Sequence, residues 1–384
     1  MLHERHPAAA VTALVALGAA AFCFVTSENL PVGLLQVMAH SFHASISAVG
    51  LQVSVYAVTV VVGSAPLTHL AKALPRRPLI CGLLATLAAG SVGAALAPSY
   101  WWLLVARVVT ALGQSVFWAV AAVTAVSLFR PEHRGRAVAG VLGGGSIAIV
   151  TGVPAGTWLG QQAGWRVAFF VLGGLGAVIL VLAAVLLPSS HPGETHAGRA
   201  KAPDRRRFLA MITTTVLIVC GFDTLNTYIS PFVTGVAGLP AHDVALVLFL
   251  SGGGGAIGVA ATASRFEQWP RLGTLGPPGL VGASLYMLYI AGRSLLAVVF
   301  LLALLGFALG GVVVANQTRV MVVAPGNTDV ASAWTSAAFN LGIAAGSLAG
   351  SLVLRTGGVR LTALAGALFA TAGLAVISWD ERLS

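Results

Sequence analysis

Residues 167–187 read VAFFVLGGLGAVILVLAAVLL, with Arg166 before them and Pro188 after, and hold no ionisable side chain. A helix rising 1.5 Å per residue needs about 20 residues to cross the ~30 Å hydrocarbon core of a bilayer. This stretch supplies that length. The whole chain repeats the pattern. Of its 384 residues 57% are hydrophobic and 8% charged, with 46 glycines and a mean hydropathy of +0.92. A water-soluble chain holds its surface in solution with about a quarter of its residues charged. That excludes a soluble enzyme, a nucleic-acid binder and a disordered chain, and leaves a polytopic membrane protein.

Apolar stretches bounded by charges, Pro or Gly predict twelve spans. Six centre near Phe22, Ala57, Leu87, Ser115, Ile147 and Gly176, and six near Asp223, Gly252, Gly282, Leu309, Phe339 and Phe369. The first run extends past Glu28 to about Met38, too long for the core of a secretory signal, so it reads as a span. The expected organisation is a six-helix bundle over 1–188, a polar basic linker over 189–207, and a second six-helix bundle over 208–384. The fold class expected is an all-α membrane protein with twelve transmembrane helices in two bundles related by pseudo-twofold symmetry.

Most of the 21 Lys and Arg fall on alternate loops: Arg5; Lys72, Arg76 and Arg77; Arg130, Arg134 and Arg136; Arg199, Lys201 and Arg205 to Arg207; Arg265 and Arg271; Arg319; Arg382. The opposite loops hold Arg166, Arg293, Arg355 and Arg360. Basic loops stay in the cytoplasm, which predicts cytoplasmic termini. The halves also echo each other. Gly152, Gly156 and Gly160 are matched at one constant offset by Gly342, Gly346 and Gly350, and Pro131 and Ala137 at a slightly longer one by Pro325 and Ala331. Parallel repeats of this kind set a substrate cavity between the halves and move by rocking.

Charges at membrane depth are costly and therefore informative. Three are expected there: Glu28, Arg107 and Asp223. Asp223 centres the apolar stretch 208–238, and reads either as a carboxyl that exchanges one proton per cycle or as one held by hydrogen bonds near Gly221. The depths of Glu28 and Arg107 allow them to pair, or each to reach outward independently. Amides and aromatic residues on inner spans suit a sugar or an amphiphilic drug: Asn29, Tyr56, Gln114, Trp118, Asn226, Tyr228, Asn316, Gln317 and Asn340. Each also has a packing explanation.

Several lookalikes carry no chemistry. Gly143 to Gly145 and Gly252 to Gly255 lack the Lys-Ser/Thr of a phosphate loop and read as close helix contacts. His191 to His196 lies in the linker without a helical frame. Cys23, Cys81 and Cys220 sit far apart in apolar runs. No catalytic constellation or metal set appears, so neither an enzyme nor a cofactor is expected. The partners expected are a small-molecule substrate, protons and lipid, with no nucleic acid, for a monomer.

With twelve spans in two halves the chain resembles the major facilitator superfamily over nearly its whole length. The run Thr151-Gly-Val-Pro-Ala-Gly-Thr-Trp-Leu-Gly-Gln-Gln-Ala-Gly-Trp-Arg166 resembles the fifth-helix motif of exporters, where Gly152, Pro154, Gly156 and Gly160 make a hinge or seal. Arg107 with Gly113 and Gln114 resembles the fourth-helix motif associated with proton transfer. Pro75-Arg76-Arg77 resembles the cytoplasmic gating motif, with Lys72 and Pro75 where Asp and Gly are expected; Arg76 and Arg77 then gate or merely enforce topology. Thr26-Ser-Glu-Asn-Leu-Pro-Val-Gly-Leu-Leu35, Tyr228-Ile-Ser-Pro-Phe232 and the residues Asp329 to Ala333 and Phe339 to Ile343 resemble bacterial sugar efflux transporters of the twelve-span drug:proton antiporter family. That resemblance implies proton-coupled efflux of a sugar or drug, including chloramphenicol-type compounds, across a bacterial inner membrane. An importer or uniporter of the same fold is the alternative.

Overall fold

The computed structural model describes residues 7–71, 74–130, 133–187, 203–266, 268–291, 294–324 and 328–382. The linker residues 188–202, with His191 to His196, Arg199 and Lys201, lie outside the described residues, as do Arg5, Lys72, Pro131, Arg293 and Pro325. All described elements are helical: α1 (Pro7–Ser41), α2 (Ile46–Ala71), α3 (Arg76–Ala95), α4 (Tyr100–Ser127), α5 (Arg134–Ala163), α6 (Trp165–Leu186), α7 (Arg205–Asn226), α8 (Ile229–Gly235), α9 (Val244–Arg265), α10 (Pro270–Ala291), α11 (Leu295–Val323), α12 (Thr328–Gly357) and α13 (Arg360–Arg382). Each of the twelve expected centres falls within one of them.

Eleven of these helices are long and apolar enough to cross a membrane. The remaining expected span, around Gly282, is α10, whose 22 residues reach about 33 Å. Its composition explains the weaker signal: Pro277 and Pro278 lie inside it, among Gly273, Gly276 and Gly279. Along α6, Val171, Val178, Val181 and Val185 are exposed on one face. Water would not tolerate such a stripe, but hydrocarbon does.

Local rules set the helix ends. Ser99 starts α4 by accepting a hydrogen bond from the Trp102 amide at 3.3 Å. Asp204 does the same for α7, taking the amides of Arg206 and Arg207. Gly164, with φ of 95°, makes the left-handed turn between α5 and α6 that a side chain would resist. Inside α5, Ala148–Gly152 form a π turn. Pro154 explains it, because a proline has no amide to close the ordinary turn, and the helix widens just before it.

The described residues divide into two compact units, one within the bounds Met1–Leu30 and Thr59–Thr195, the other within Pro31–Val58 and His196–Ser384. Glycines bring helices together within each. In the first unit, a Cβ at Gly144 would overlap the Gly18 carbonyl, one at Gly152 would meet Thr26 and Phe22, and one at Gly156 would lie 2.7 Å from Leu30. This is a seam between α5 and α1. In the second, α12 packs on α7 through Gly342 against Val219, Gly346 against Cys220 and Asp223, and Gly350 against Thr224 and Tyr228. The glycine echo in the sequence is therefore a repeated helix seam. The run Gly252 to Gly255 belongs to the interior of α9, which meets α11 through Gly254, Gly258, Gly306 and Gly310.

A Cβ at Gly258 would overlap the Phe307 carbonyl, whereas one at Gly253 on the same helix meets open space. Overpacking costs about 1–3 kcal/mol. Gly258→Val is thus expected to lower the melting temperature of the detergent-solubilised protein clearly, and Gly253→Val hardly. Equal losses would show that the α9–α11 seam is not a tight contact.

Candidate functional site

Pro31 lies inside α1. It has no amide hydrogen, so the carbonyl four residues earlier, that of Ser27, loses its helical partner. In a bilayer such a group must be satisfied within the protein. Arg107 of α4 does this. Its Nη1 donates to the Ser27 carbonyl at 2.6 Å and to Ser27 Oγ at 3.2 Å, and its Nη2 donates to the Glu28 carbonyl at 3.1 Å. The arginine is 1% exposed. Its guanidinium carbon lies 6.0 Å from the centroid of the Phe169 ring, and Phe169 stacks edge-on against Trp165.

The expected meeting of Glu28 and Arg107 thus runs through backbone carbonyls. The half-buried Glu28 carboxyl takes its hydrogen bond from elsewhere: Gln114 Nε2 donates to Oε2 at 2.8 Å. One turn of α1 therefore carries a carboxyl on Gln114 and a proline-freed carbonyl on Arg107. Asn29 bonds its own helix, Nδ2 donating to the Val25 carbonyl at 3.0 Å. Trp118, half-buried, stands edge-on to Phe117. Pro154 and Gly160 are buried in α5, and the Gly152 and Gly156 contacts described above set α5 against this same turn of α1. Arg76 and Arg77 are half-buried at the start of α3.

The second unit holds the other carboxyl. Asp223, 7% exposed, lies in the last turn of α7, and Asn226 Nδ2 donates to its Oδ1 at 3.3 Å. The helix breaks at Thr227 and Tyr228 and resumes as α8, which contains Pro231. Asp223 therefore sits beside a discontinuity, the setting in which membrane transporters build ion and substrate sites. Tyr228 is fully buried; its hydroxyl donates to the Ser347 carbonyl at 3.1 Å. Its ring fills the space that side chains at Gly50 and Gly350 would occupy. Tyr56 is buried. Gln317 is exposed on α11, while Asn316 lines a small cavity with Thr214, Thr274 and Arg319. Asn340 Nδ2 donates to the Ser336 carbonyl at 3.1 Å.

Two features went unread in the sequence. A polar stitch joins α2 to α12 inside the second unit: Ser347 Oγ donates to the Gly50 carbonyl at 3.1 Å, Ser351 Oγ to the Ser47 carbonyl at 3.2 Å, Arg355 Nε to Ser47 Oγ at 2.8 Å, and Ser54 Oγ to the Ala344 carbonyl at 3.1 Å. The other is Arg319, expected on a loop but 8% exposed within α11. Its Nη2 donates to Asp380 Oδ2 at 3.0 Å and its Nη1 to Glu381. The only signal for it was a cation closing an apolar run.

The profile of the Major Facilitator Superfamily matches residues 17–347. Among solved structures, a bacterial homologue of the human lysosomal transporter Spinster, inward-facing and unoccupied, is similar at a TM-score of 0.76, with 14% identity over 98% of each chain. The same homologue in its occupied form gives a TM-score of 0.76 with 15% identity over 96% of each chain. The human organic anion transporter MFSD10 (TETRAN) gives 0.66 with 19% identity over 97% of this chain and all of that one. At these identities the likeness is one of fold.

A buried carbonyl left without a donor costs about 1–3 kcal/mol. Arg107→Ala is expected to destabilise the solubilised protein by at least this amount. Adding Pro31→Ala restores an amide for Ser27 and is expected to recover about 1 kcal/mol or more of it. A double-mutant cycle on thermal unfolding measures the coupling; strict additivity would mean that Arg107 does not serve the proline turn.

Proposed function

Because the chain belongs to the Major Facilitator Superfamily, we propose that this multi-pass membrane protein is a proton-coupled exporter. It moves a sugar or small amphiphilic compound out across a bacterial cytoplasmic membrane by alternating access, as a monomer with both termini inside. The halves that rock are residues 1–188 and 208–384, joined by the basic linker 189–207. The observation that carries this reading is the single turn of α1 in which Gln114 holds the Glu28 carboxyl while Arg107 holds the adjacent carbonyls.

The coupling follows from competition for one cation. A neutral Glu28 leaves the guanidinium on the carbonyls of Ser27 and Glu28. A charged Glu28 offers it a stronger, charge-assisted partner on the same residue. Drawing Arg107 toward the carboxylate weakens the hold on the Ser27 carbonyl, and the proline turn loosens. A proton thereby favours one conformation of α1 over another, which is the differential interaction that coupling requires. Substrate amides and aromatic faces near this turn, Gln114, Trp118 and Asn29, belong to the same cavity wall in this proposal, so substrate and proton act on one element. Tyr56 of the first half, with Asn226, Tyr228, Asn316, Gln317 and Asn340 of the second, are the further candidates for positioning the substrate. The direction of transport is supported by the Gly152, Pro154, Gly156 and Gly160 motif of α5, which resembles that of exporters. Chloramphenicol-type drugs are the substrate class to test beside sugars.

Everted vesicles with an acid interior test the coupling. Glu28→Gln is expected to reduce gradient-driven uptake of the substrate to background while preserving counterflow exchange, which needs no net proton movement. Undiminished uptake by both Glu28→Gln and Arg107→Ala would sink the proposal. Asp223→Asn keeps the size of the side chain and is expected to alter the pH dependence of transport without abolishing it. An unchanged pH profile would make Asp223 a packing residue.

A further inference from the structure

The seam between α7 and α13 opens at one end into a groove of about 350 Å³ lined by Arg206, Ala210, Ala375, Val376, Trp379 and Asp380. Arg206 is the second residue of α7 and Trp379 lies in the last turn of α13, so both stand at the same end of this helix pair. Ala210, Ala375 and Val376 lie one turn deeper. The groove thus runs from a level suited to headgroups into one suited to acyl chains. Trp379 is 66% exposed, and an indole at a helix end is the ordinary anchor of the membrane interface.

The charge around the groove is unbalanced. Asp380 Oδ2 is taken by Arg319 at 3.0 Å and lies 3.7 Å from Arg207 Nε. Glu381 is taken by Arg319. The two carboxylates and two guanidiniums neutralise one another. The Asp204 carboxylate is spent on the first amides of α7, so the helix terminus is already capped and supplies no anion site of its own. Arg206 has no ion pair among the described residues and lines the apolar-floored groove.

We propose that this groove is a binding site for an anionic phospholipid. The headgroup phosphate accepts from the Arg206 guanidinium, the Trp379 indole flanks the glycerol, and the first methylenes lie on Ala210, Ala375 and Val376. Basic pockets between helices at the interface recognise such lipids through this combination of charge and apolar depth. A zwitterionic lipid brings its own cation next to Arg206 and gains less. The site lies outside the Glu28 and Asp223 clusters, and its occupancy does not depend on the direction of transport or on proton coupling.

Native mass spectrometry of the delipidated full chain, titrated with phosphatidylglycerol or phosphatidylcholine, tests it. Wild type is expected to retain phosphatidylglycerol preferentially. Arg206→Gln is expected to lose that preference by about fivefold, the effect of one basic residue at a lipid surface, and Arg206→Lys to restore most of it. Arg205→Gln, which removes an equal charge outside the groove, is expected to keep it, and Trp379→Ala to weaken it. Equal retention of the two lipids, or equal effects of Arg205→Gln and Arg206→Gln, overturns the proposal. Displacement of the lipid by millimolar inorganic phosphate also overturns it, since the site then reads a soluble anion rather than a lipid.

Discussion

The Ser27 carbonyl is the group on which the first unit's organisation depends. Lipid offers it no hydrogen bond, Pro31 withholds the one a helix would supply, and Arg107 makes good the loss. α1 therefore continues as a helix to Ser41. The seventh span shows the alternative. Pro231 deprives Thr227 of its helical partner in the same way, no arginine among the described residues is bonded there, and the helix splits into α7 and α8. Thr227 Oγ1 is buried at the break with no hydrogen-bond partner among the described residues. One covalent defect gives a braced helix at α1 and a discontinuous one at α7 and α8, with an acidic residue beside each.

The glycine rows are the second constraint. α5 on α1 and α12 on α7 approach closely enough that side chains at Gly152 or Gly346 would strike the neighbouring helix beside Glu28 or Asp223. Each carboxyl is thus carried by a helix held against its neighbour with almost no clearance. Movement of such a helix is confined to sliding or bending along its seam. The π turn at Ala148–Gly152 gives α5 a place to bend within that seam.

Much of this architecture was legible in the sequence because hydrocarbon imposes a length and a composition. Runs of about 20 apolar residues locate the helices, and the matched glycines mark the two seams. α10 was harder, since Pro277, Pro278 and several glycines dilute its apolar signal. Glu28, Arg107, Gln114 and Asp223 stood out because ionisable or amide groups are rare at depth. Their partners did not. Arg107 bonds mainly to backbone carbonyls, and a carbonyl has no residue type to recognise. The Ser47–Arg355 contact spans 308 positions, and neither serine nor a helix-end arginine announces such a partner. Arg319 looked like a loop cation because the acids that bury it belong to a helix two spans later.

That buried cation has a consequence for how the protein is made. Asp380 and Glu381 follow Arg319 by 61 and 62 positions, so the ribosome delivers the guanidinium to the translocon well before its counter-ions exist. Until α13 emerges, Arg319 lacks the two carboxylates that accept from it in the folded protein. A helix synthesised later thus supplies the counter-ions of one made earlier. A nascent chain stalled before Asp380 carries that guanidinium without either carboxylate.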